Sequence, residues 1–160
     1  MKNNKTKQNT IEIINLLKKR NQTVTFAESC TGGRIASMFT SVSGASSVLM
    51  GSVVTYSNEI KSKWLGVKRE TLIEYGAVSQ ECVEEMLKGV ISMASADYAI
   101  AVSGIAGPTG GTTEKPVGTV YIGIIYNNKI TIEHHLFSGN REAVQEQAKD
   151  TAIALFKKNL

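Results

Sequence analysis

Three short stretches of the chain carry residues able to do chemistry. The first is FAESCTGG, residues 26–33, where Ser29 and Cys30 stand side by side after the acid Glu28 and before Thr31, Gly32 and Gly33. The flanking pattern reads as a strand followed by a helix. A strand-to-helix turn exposes the side chain at its apex and aims helix N–H groups at it, which suits a nucleophile. A hydroxyl or thiol there would attack an electrophilic carbon, and the N–H groups of Thr31, Gly32 and Gly33 would hold the developing oxyanion. Cys30 would have a lowered pKa at a helix start and is the rival nucleophile. Without a histidine to pair with it, Ser29 is preferred, with Cys30 packed inward. Glu28 would either orient the base or satisfy the turn.

A hydroxyl needs a base. The only histidines, His134 and His135, are adjacent in a predicted strand, so they face opposite ways, and neither neighbours a motif stretch. That disfavours a Ser-His-Asp triad and a histidine metal site. Lysine remains. In the second stretch, YSNEIK, Ser57 and Lys61 are four apart and share a helix face near its N-terminus. An ordinary lysine, with a pKa of about 10.4, is protonated and no base. Working near neutrality requires a drop of about 3 units, roughly 4 kcal/mol of destabilised ammonium. A helix N-terminus and a partly dry cleft both act in that direction. Taken alone, a lysine at this place would ordinarily be solvated.

The third stretch is SGIAGPTGG, residues 103–111, with four glycines in nine residues. It fits neither GxxxxGK[ST] nor GxGxxG, so the two best-known nucleotide fingerprints are absent. Glycines still let backbone N–H groups approach a phosphate. The plain alternative is a turn-rich connection packed for its own sake, but long loops in compact domains are usually functional.

These stretches must be positioned by regular elements. Residues 10–20 carry Ile11, Ile14 and Leu17 at helical spacing and end in Lys18, Lys19 and Arg20, as suits a helix C-terminus. TVTFA, 23–27, reads as a strand and 31–40 as a helix. VLMGSVVTY, 48–56, reads as a strand with Gly51 at a bulge or close approach. Ser57 can cap a helix running to about Leu65. A short helical piece at 70–75 precedes a longer helix capped by Ser79 and reaching about Ala94. DYAIAV, 97–102, is a buried strand that runs into the glycine loop. Strands at 116–126 and 129–137 flank Asn127-Asn128, a good hairpin turn, and a helix over 140–157 closes the chain. Early strands alternate with helices and a hairpin comes late. The pattern predicts three layers, α/β/α, over a mixed, mostly parallel sheet. In such sheets ligands gather beyond the carboxyl ends of parallel strands. If the strands before the three stretches are neighbours, all three share one rim.

Bulk properties narrow the class. The 160 residues fit one domain, with residues 1–9 expected as a flexible tail. The net charge of +4 is mild and scattered, whereas a nucleic-acid binder gathers basic residues on one face. Cys30 and Cys82 form neither a CxxC pair nor a metal spacing, and Cys82 reads as a buried apolar residue. No apolar run approaches the ~18 residues of a membrane span, and MKNNKTKQNT lacks a signal-peptide core. A reduced, cytoplasmic protein that binds neither nucleic acid nor membrane is the expectation.

Taken together, AESCTGG, TYSNEIK, GAVS, SGIAGPTGGTTEKPVGTV and SGNRE resemble the CinA C-terminal domain family over about residues 10–155, and the pairing of SGIAGP with KPVGTV is highly specific. The resemblance implies the stand-alone form, without the separate N-terminal domain of larger members, which itself resembles a molybdopterin-binding fold. Members with deamidase activity are nicotinamide-nucleotide amidohydrolases. Their activity implies hydrolysis of the carboxamide of nicotinamide mononucleotide to nicotinate mononucleotide and ammonia. The family's serine-lysine arrangement, with a nearby tyrosine and no metal or cofactor, falls on Ser29, Lys61 and Tyr56. Substrate contacts are expected from Glu28, Thr31, Gly32, Gly33, Asn58, Ser103, Gly104 and Gly107, with Arg141 on the phosphate. The family's late motif commonly has a second arginine where this chain has Gln145. The resemblance also implies a homo-oligomer. The alternative function is a non-catalytic nucleotide-binding or protein-interaction module, since some members are associated with competence and recombination proteins.

Overall fold

The computed structural model describes residues 2–160. Its elements follow the order α1 (Lys2–Arg20), β1 (Val24–Glu28), α2 (Arg34–Thr40), β2 (Leu49–Val54), α3 (Asn58–Leu65), α4 (Arg69–Glu74), α5 (Gln80–Ala94), β3 (Tyr98–Gly104), β4 (Thr119–Tyr126), β5 (Lys129–Leu136) and α6 (Arg141–Lys158), with a single 3-10 turn at Ala45–Ser47. The five strands form one sheet in the order β2-β1-β3-β4-β5. β1 pairs in parallel with both β2 and β3, and β4 runs antiparallel to β3 and β5, so four of the five strands point the same way.

Side-chain alternation builds the two apolar layers. Along β1 and β3, Val24, Phe26, Tyr98, Ile100 and Val102 face a core shared with α1, α2 and α6. Their neighbours Ala27, Ala99 and Ala101 face a second core shared with α3 and α5. The sheet is therefore covered on both faces, which is the expected three-layer α/β/α arrangement. The small residues on the second face let α5 lie close. A Cβ at Gly123 of β4 would stand 2.8 Å from side-chain atoms of both Leu87 and Val83.

Several local expectations meet their physical cause. The register of β1 against β2 skips a residue between the Val24–Leu49 and Thr25–Gly51 pairs, placing the bulge beside Gly51. Asn127 and Asn128 have φ of 48° and 60°, the left-handed pair that a two-residue hairpin turn needs. Ser57 and Ser79 accept the N–H groups of Ile60 and Cys82 and so cap α3 and α5.

Two expectations are corrected. The first helix starts at Lys2, not near Thr10, so residues 2–9 are helical and not a loose tail; Met1 lies outside the described residues. The Thr6 hydroxyl donates to Asp150 of α6 at 2.9 Å, and Lys157 donates to Asn9, which hold this polar segment against α6. Residues 116–118 are loop and β4 begins at Thr119. Gly118 has φ +97°, and a Cβ there would sit 2.0 Å from the Phe137 carbonyl oxygen. Among the described residues no helix is long and apolar enough to cross a membrane.

Candidate active site

Because β2, β1 and β3 are parallel neighbours, the loops leaving their carboxyl ends rise from one rim. These are the ESCTGG, YSNEIK and SGIAGPTGG stretches. They enclose a cavity of about 320 Å³, lined among others by Ser29, Cys30, Tyr56, Asn58, Lys61, Gly107 and Arg141.

Lys61 sits in the first turns of α3 with its side chain directed inward, and the residue is 1% exposed. Its Nζ lies 3.0 Å from Ser29 Oγ, 2.7 Å from the Thr55 carbonyl oxygen and 3.2 Å from that of Tyr56. Among the described residues no carboxylate pairs with it. Burial, which penalises the ammonium, pulls its pKa below the ordinary lysine value of 10.5. The two thiols near it do not restore the charge, because burial pushes Cys30 up to about 12 and Cys82 up to about 11, leaving both neutral. A neutral amine has two N–H donors and one lone pair. In that neutral form, with both N–H groups on the Thr55 and Tyr56 carbonyls, the lone pair would be left for the Ser29 hydroxyl, whereas the ammonium donates to it. The same geometry argues against Cys30 as a nucleophile: it is buried in the apolar core and its thiol resists ionisation.

Glu28 does not reach the cavity. It is 0% exposed, and its carboxylate accepts the N–H groups of Gly33 (3.0 Å), Ile35 (3.2 Å) and Ala36 (2.9 Å). It therefore satisfies the turn and caps α2, whose own N-cap residue, Gly33, offers no side chain. Of the three N–H groups expected to face an oxyanion, two are engaged elsewhere. Gly32 N–H donates to the Ser29 carbonyl at 3.0 Å, and Gly33 N–H donates to Glu28. Only the Thr31 N–H has no acceptor among the described residues.

Tyr56 is 61% exposed, and its hydroxyl accepts from Arg141 Nη2 at 2.9 Å; it is the main-chain carbonyl of Tyr56 that meets Lys61. Its phenol is thus held by Arg141 on the wall of the cavity, and among the described residues no hydrogen bond joins it to Ser29 or Lys61. Arg141, the first residue of α6, also donates through Nη1 to the Gly107 carbonyl at 2.6 Å. One guanidinium so bridges the second and third loops. Ser103 lines the wall, and its hydroxyl donates to the Ala77 carbonyl at 2.7 Å. Gly104 and Gly107 are glycine for want of room: a Cβ would lie 2.6 Å from Val120 Cγ2 and 2.4 Å from Val117 Cγ1 respectively.

Residue-type reasoning did not find Thr55, whose carbonyl is an acceptor for Lys61, nor the wall residues Ala77 and Val78. Main-chain acceptors leave no mark in residue type, although the GAVS run ahead of the Ser79 cap was a usable signal. His134 and His135 lie outside the cavity; His134 stacks on Tyr121 and His135 on Phe137.

A three-layer α/β domain with a buried serine-lysine pair at the rim of its parallel strands is the class that fold and site define. The model of the CinA C-terminal domain matches residues 6–160, and the chain belongs to that family. A CinA-like protein of Thermotoga neapolitana is 47% identical over 148 residues, 92% of this chain and 36% of that protein. One of Endomicrobium trichonymphae is 50% identical over 145 residues, 91% of this chain and 34% of that protein. The chain thus spans about a third of the length of these curated relatives. The crystal structure of competence damage-inducible protein A (ComA) from Klebsiella pneumoniae matches with a TM-score of 0.93 at 38% identity, over 96% of this chain and 95% of that one. A competence-damaged protein (CinA) superfamily protein from Escherichia coli gives 0.93 at 32% identity, over 97% and 90%.

Proposed function

We propose that this domain is a metal-independent amidohydrolase that converts nicotinamide mononucleotide to nicotinate mononucleotide and ammonia, with Ser29 as nucleophile and Lys61 as base. The observation that carries this reading is the 3.0 Å approach of a buried, unpaired lysine amine to a serine hydroxyl on the wall of a cavity. The choice of amide follows the family resemblance. The cavity volume, of the order that small-molecule sites have, agrees with a mononucleotide-sized ligand entering through the mouth.

The geometry supports the following steps. Neutral Lys61 takes the Ser29 proton as Oγ bonds to the carboxamide carbon, and the carbonyl electron pair becomes the oxyanion. Collapse breaks the C–N bond, and Lys61 returns the proton to the departing nitrogen, which leaves as ammonia. Water then attacks the acyl-serine with Lys61 again as base, releasing the carboxylic acid and restoring Ser29. Arg141 at the mouth would hold the phosphate, exchanging its bond to Tyr56 for a charge-assisted one.

The test is ammonia release from nicotinamide mononucleotide by purified protein without added metal, set against the dinucleotide and the nucleoside. Turnover is expected with the mononucleotide. Ser29→Ala and Lys61→Ala should each abolish it, while Cys30→Ala should largely keep it. Binding of the mononucleotide without ammonia release would sink the amidase reading and favour a nucleotide-binding module.

A further inference from the structure

We propose that the protonated Lys61 turns the cavity into a site for the carboxylate product, so that small anions with a carboxylate at one end and a phosphate at the other inhibit this domain more strongly as pH falls. This rests on the reading of Ser29 as the nucleophile toward a mononucleotide amide.

The hydrogen bonds of one amine carry the proposal. Lys61 Nζ has three acceptors in reach: the Thr55 carbonyl, the Tyr56 carbonyl and Ser29 Oγ. An ammonium has three N–H donors and no lone pair. It gives one to each acceptor, and the Ser29 hydroxyl proton is then free for a ligand in the cavity that both residues line. A neutral amine has two N–H donors and a lone pair. With the donors on the two carbonyls, its lone pair takes the Ser29 proton, and Ser29 offers a ligand only oxygen lone pairs. The charge on Lys61 thus decides whether Ser29 donates or accepts.

Substrate and product differ at that same place. Attack by Ser29 needs the carboxamide carbon against Oγ, so the product carboxylate is formed there. A carboxylate only accepts hydrogen bonds, whereas a carboxamide also carries two N–H donors. Against the accepting Ser29, a carboxylate sets lone pairs against lone pairs. Against the donating Ser29, it gains a charge-assisted bond with an ammonium behind it.

The charges around the cavity agree. None of the residues lining it is acidic, and two, Lys61 and Arg141, are basic. With Arg141 on the phosphate, the two anionic groups of the product meet the two basic residues. Lys61 is flanked by the thiols of Cys30, from the turn, and Cys82, from α5, and burial keeps both neutral. Carboxylates on the neighbouring elements are taken. Glu28 of β1 accepts the N–H groups of Gly33, Ile35 and Ala36, and Glu85 of α5 accepts the Lys68 N–H and the Thr71 hydroxyl. Burial holds the amine below the ordinary lysine range. A ligand carboxylate supplies an anionic partner and draws a proton onto it.

The experiment is calorimetric titration of nicotinate mononucleotide into the protein, in two buffers of different ionisation enthalpy, which reads the protons taken up on binding. Above pH 7 a phosphate monoester, with a second pKa of about 6, is largely a dianion, so uptake there reports on the protein. Between about pH 7 and pH 10, wild type should take up protons, approaching one per ligand bound, with Kd rising by up to about tenfold per pH unit. Lys61→Met should lose both the uptake and the pH dependence. On wild type alone, ribose 5-phosphate, which has the phosphate and no carboxylate, should show no such uptake. Nicotinate mononucleotide should also compete with nicotinamide mononucleotide in the ammonia assay, with a Ki that follows the same course. Binding of nicotinate mononucleotide by wild type without uptake overturns the proposal, as does equal uptake with Lys61→Met or with ribose 5-phosphate. If ammonia is released in that case, the amidase reading still stands. Uptake as expected without ammonia release sinks the amidase reading and leaves the anion preference standing. No binding of either mononucleotide overturns both.

Discussion

At the scale of single residues, Lys61 sets the pH behaviour that the proposed function predicts. Its folded pKa lies below 10.5 because burial disfavours the ammonium. Catalysis by the neutral amine then predicts a rate that rises with pH along one limb, with a midpoint below the ordinary lysine value. A limb centred at or above that value, measured as kcat/KM against pH, would mean that the amine is not the base. Stability carries the matching signature. The folded state releases this proton more readily than the unfolded chain, so the lysine destabilises the fold as pH falls below the unfolded pKa of about 10.4, and the penalty is complete below the folded pKa. Lys61→Met removes that penalty while also stripping partners from the Thr55 and Tyr56 carbonyls. The difference in melting temperature, variant minus wild type, should therefore be more favourable to the variant at about pH 6 than at about pH 10. A difference independent of pH would show that the amine titrates normally in the fold.

At the scale of elements, two contacts hold the pair together. Glu28 ties β1 to α2 with three N–H bonds from a fully buried carboxylate. Glu28→Gln turns an amide NH2 toward those donors and should cost about 2–4 kcal/mol in urea unfolding; a loss under about 0.5 kcal/mol, the scale of an ordinary surface change, would show that the cap is dispensable. The second contact is α3 on α5. A Cβ at Gly89 would lie 2.0 Å from the Leu65 carbonyl oxygen, so Gly89→Ala must push α3 outward. Overpacking of this kind costs about 1–3 kcal/mol, and because α3 carries Lys61 the variant should also lose kcat. Full kcat in a destabilised Gly89→Ala protein would show that α3 shifts without disturbing Lys61. This scale also divides what the sequence could reveal from what it could not. Strands, helices and the Ser57 and Ser79 caps follow from periodicity and cap chemistry. So does the meeting of three loops on one rim, once the strands are parallel neighbours. The start of α1 does not, because residues 2–9 have no apolar period and are held by contacts from α6. Nor does the fate of the turn's N–H groups: residue type says that glycines can offer them, but Glu28 and the Ser29 carbonyl take two of the three.

At the scale of the whole molecule, function and stability are separated along the strand axis. The carboxyl ends of β2, β1 and β3 carry the cavity, and the opposite rim carries connections such as the Asn127-Asn128 turn and the α5–β3 link. Ser95, in that link, ends α5 in the left-handed region with φ 50°. A non-glycine residue there costs about 1–2 kcal/mol, and glycine loses about 0.4–1 kcal/mol of that gain through its freer unfolded chain. Ser95→Gly should therefore stabilise the fold by about 0.5–1 kcal/mol, a rise of about 1–4 °C in Tm. Activity should not change, because the substitution lies at the far end of the strands from Ser29 and Lys61. Gly107→Ala is the counterpart on the cavity rim, with φ +81° and a Cβ position 2.4 Å from Val117. It should lower both Tm and kcat/KM, because the residue it displaces is the one that Arg141 grips through its carbonyl. If Ser95→Gly altered kcat as strongly as Gly107→Ala, the two rims would be coupled through the sheet, and the division of labour between them would be wrong.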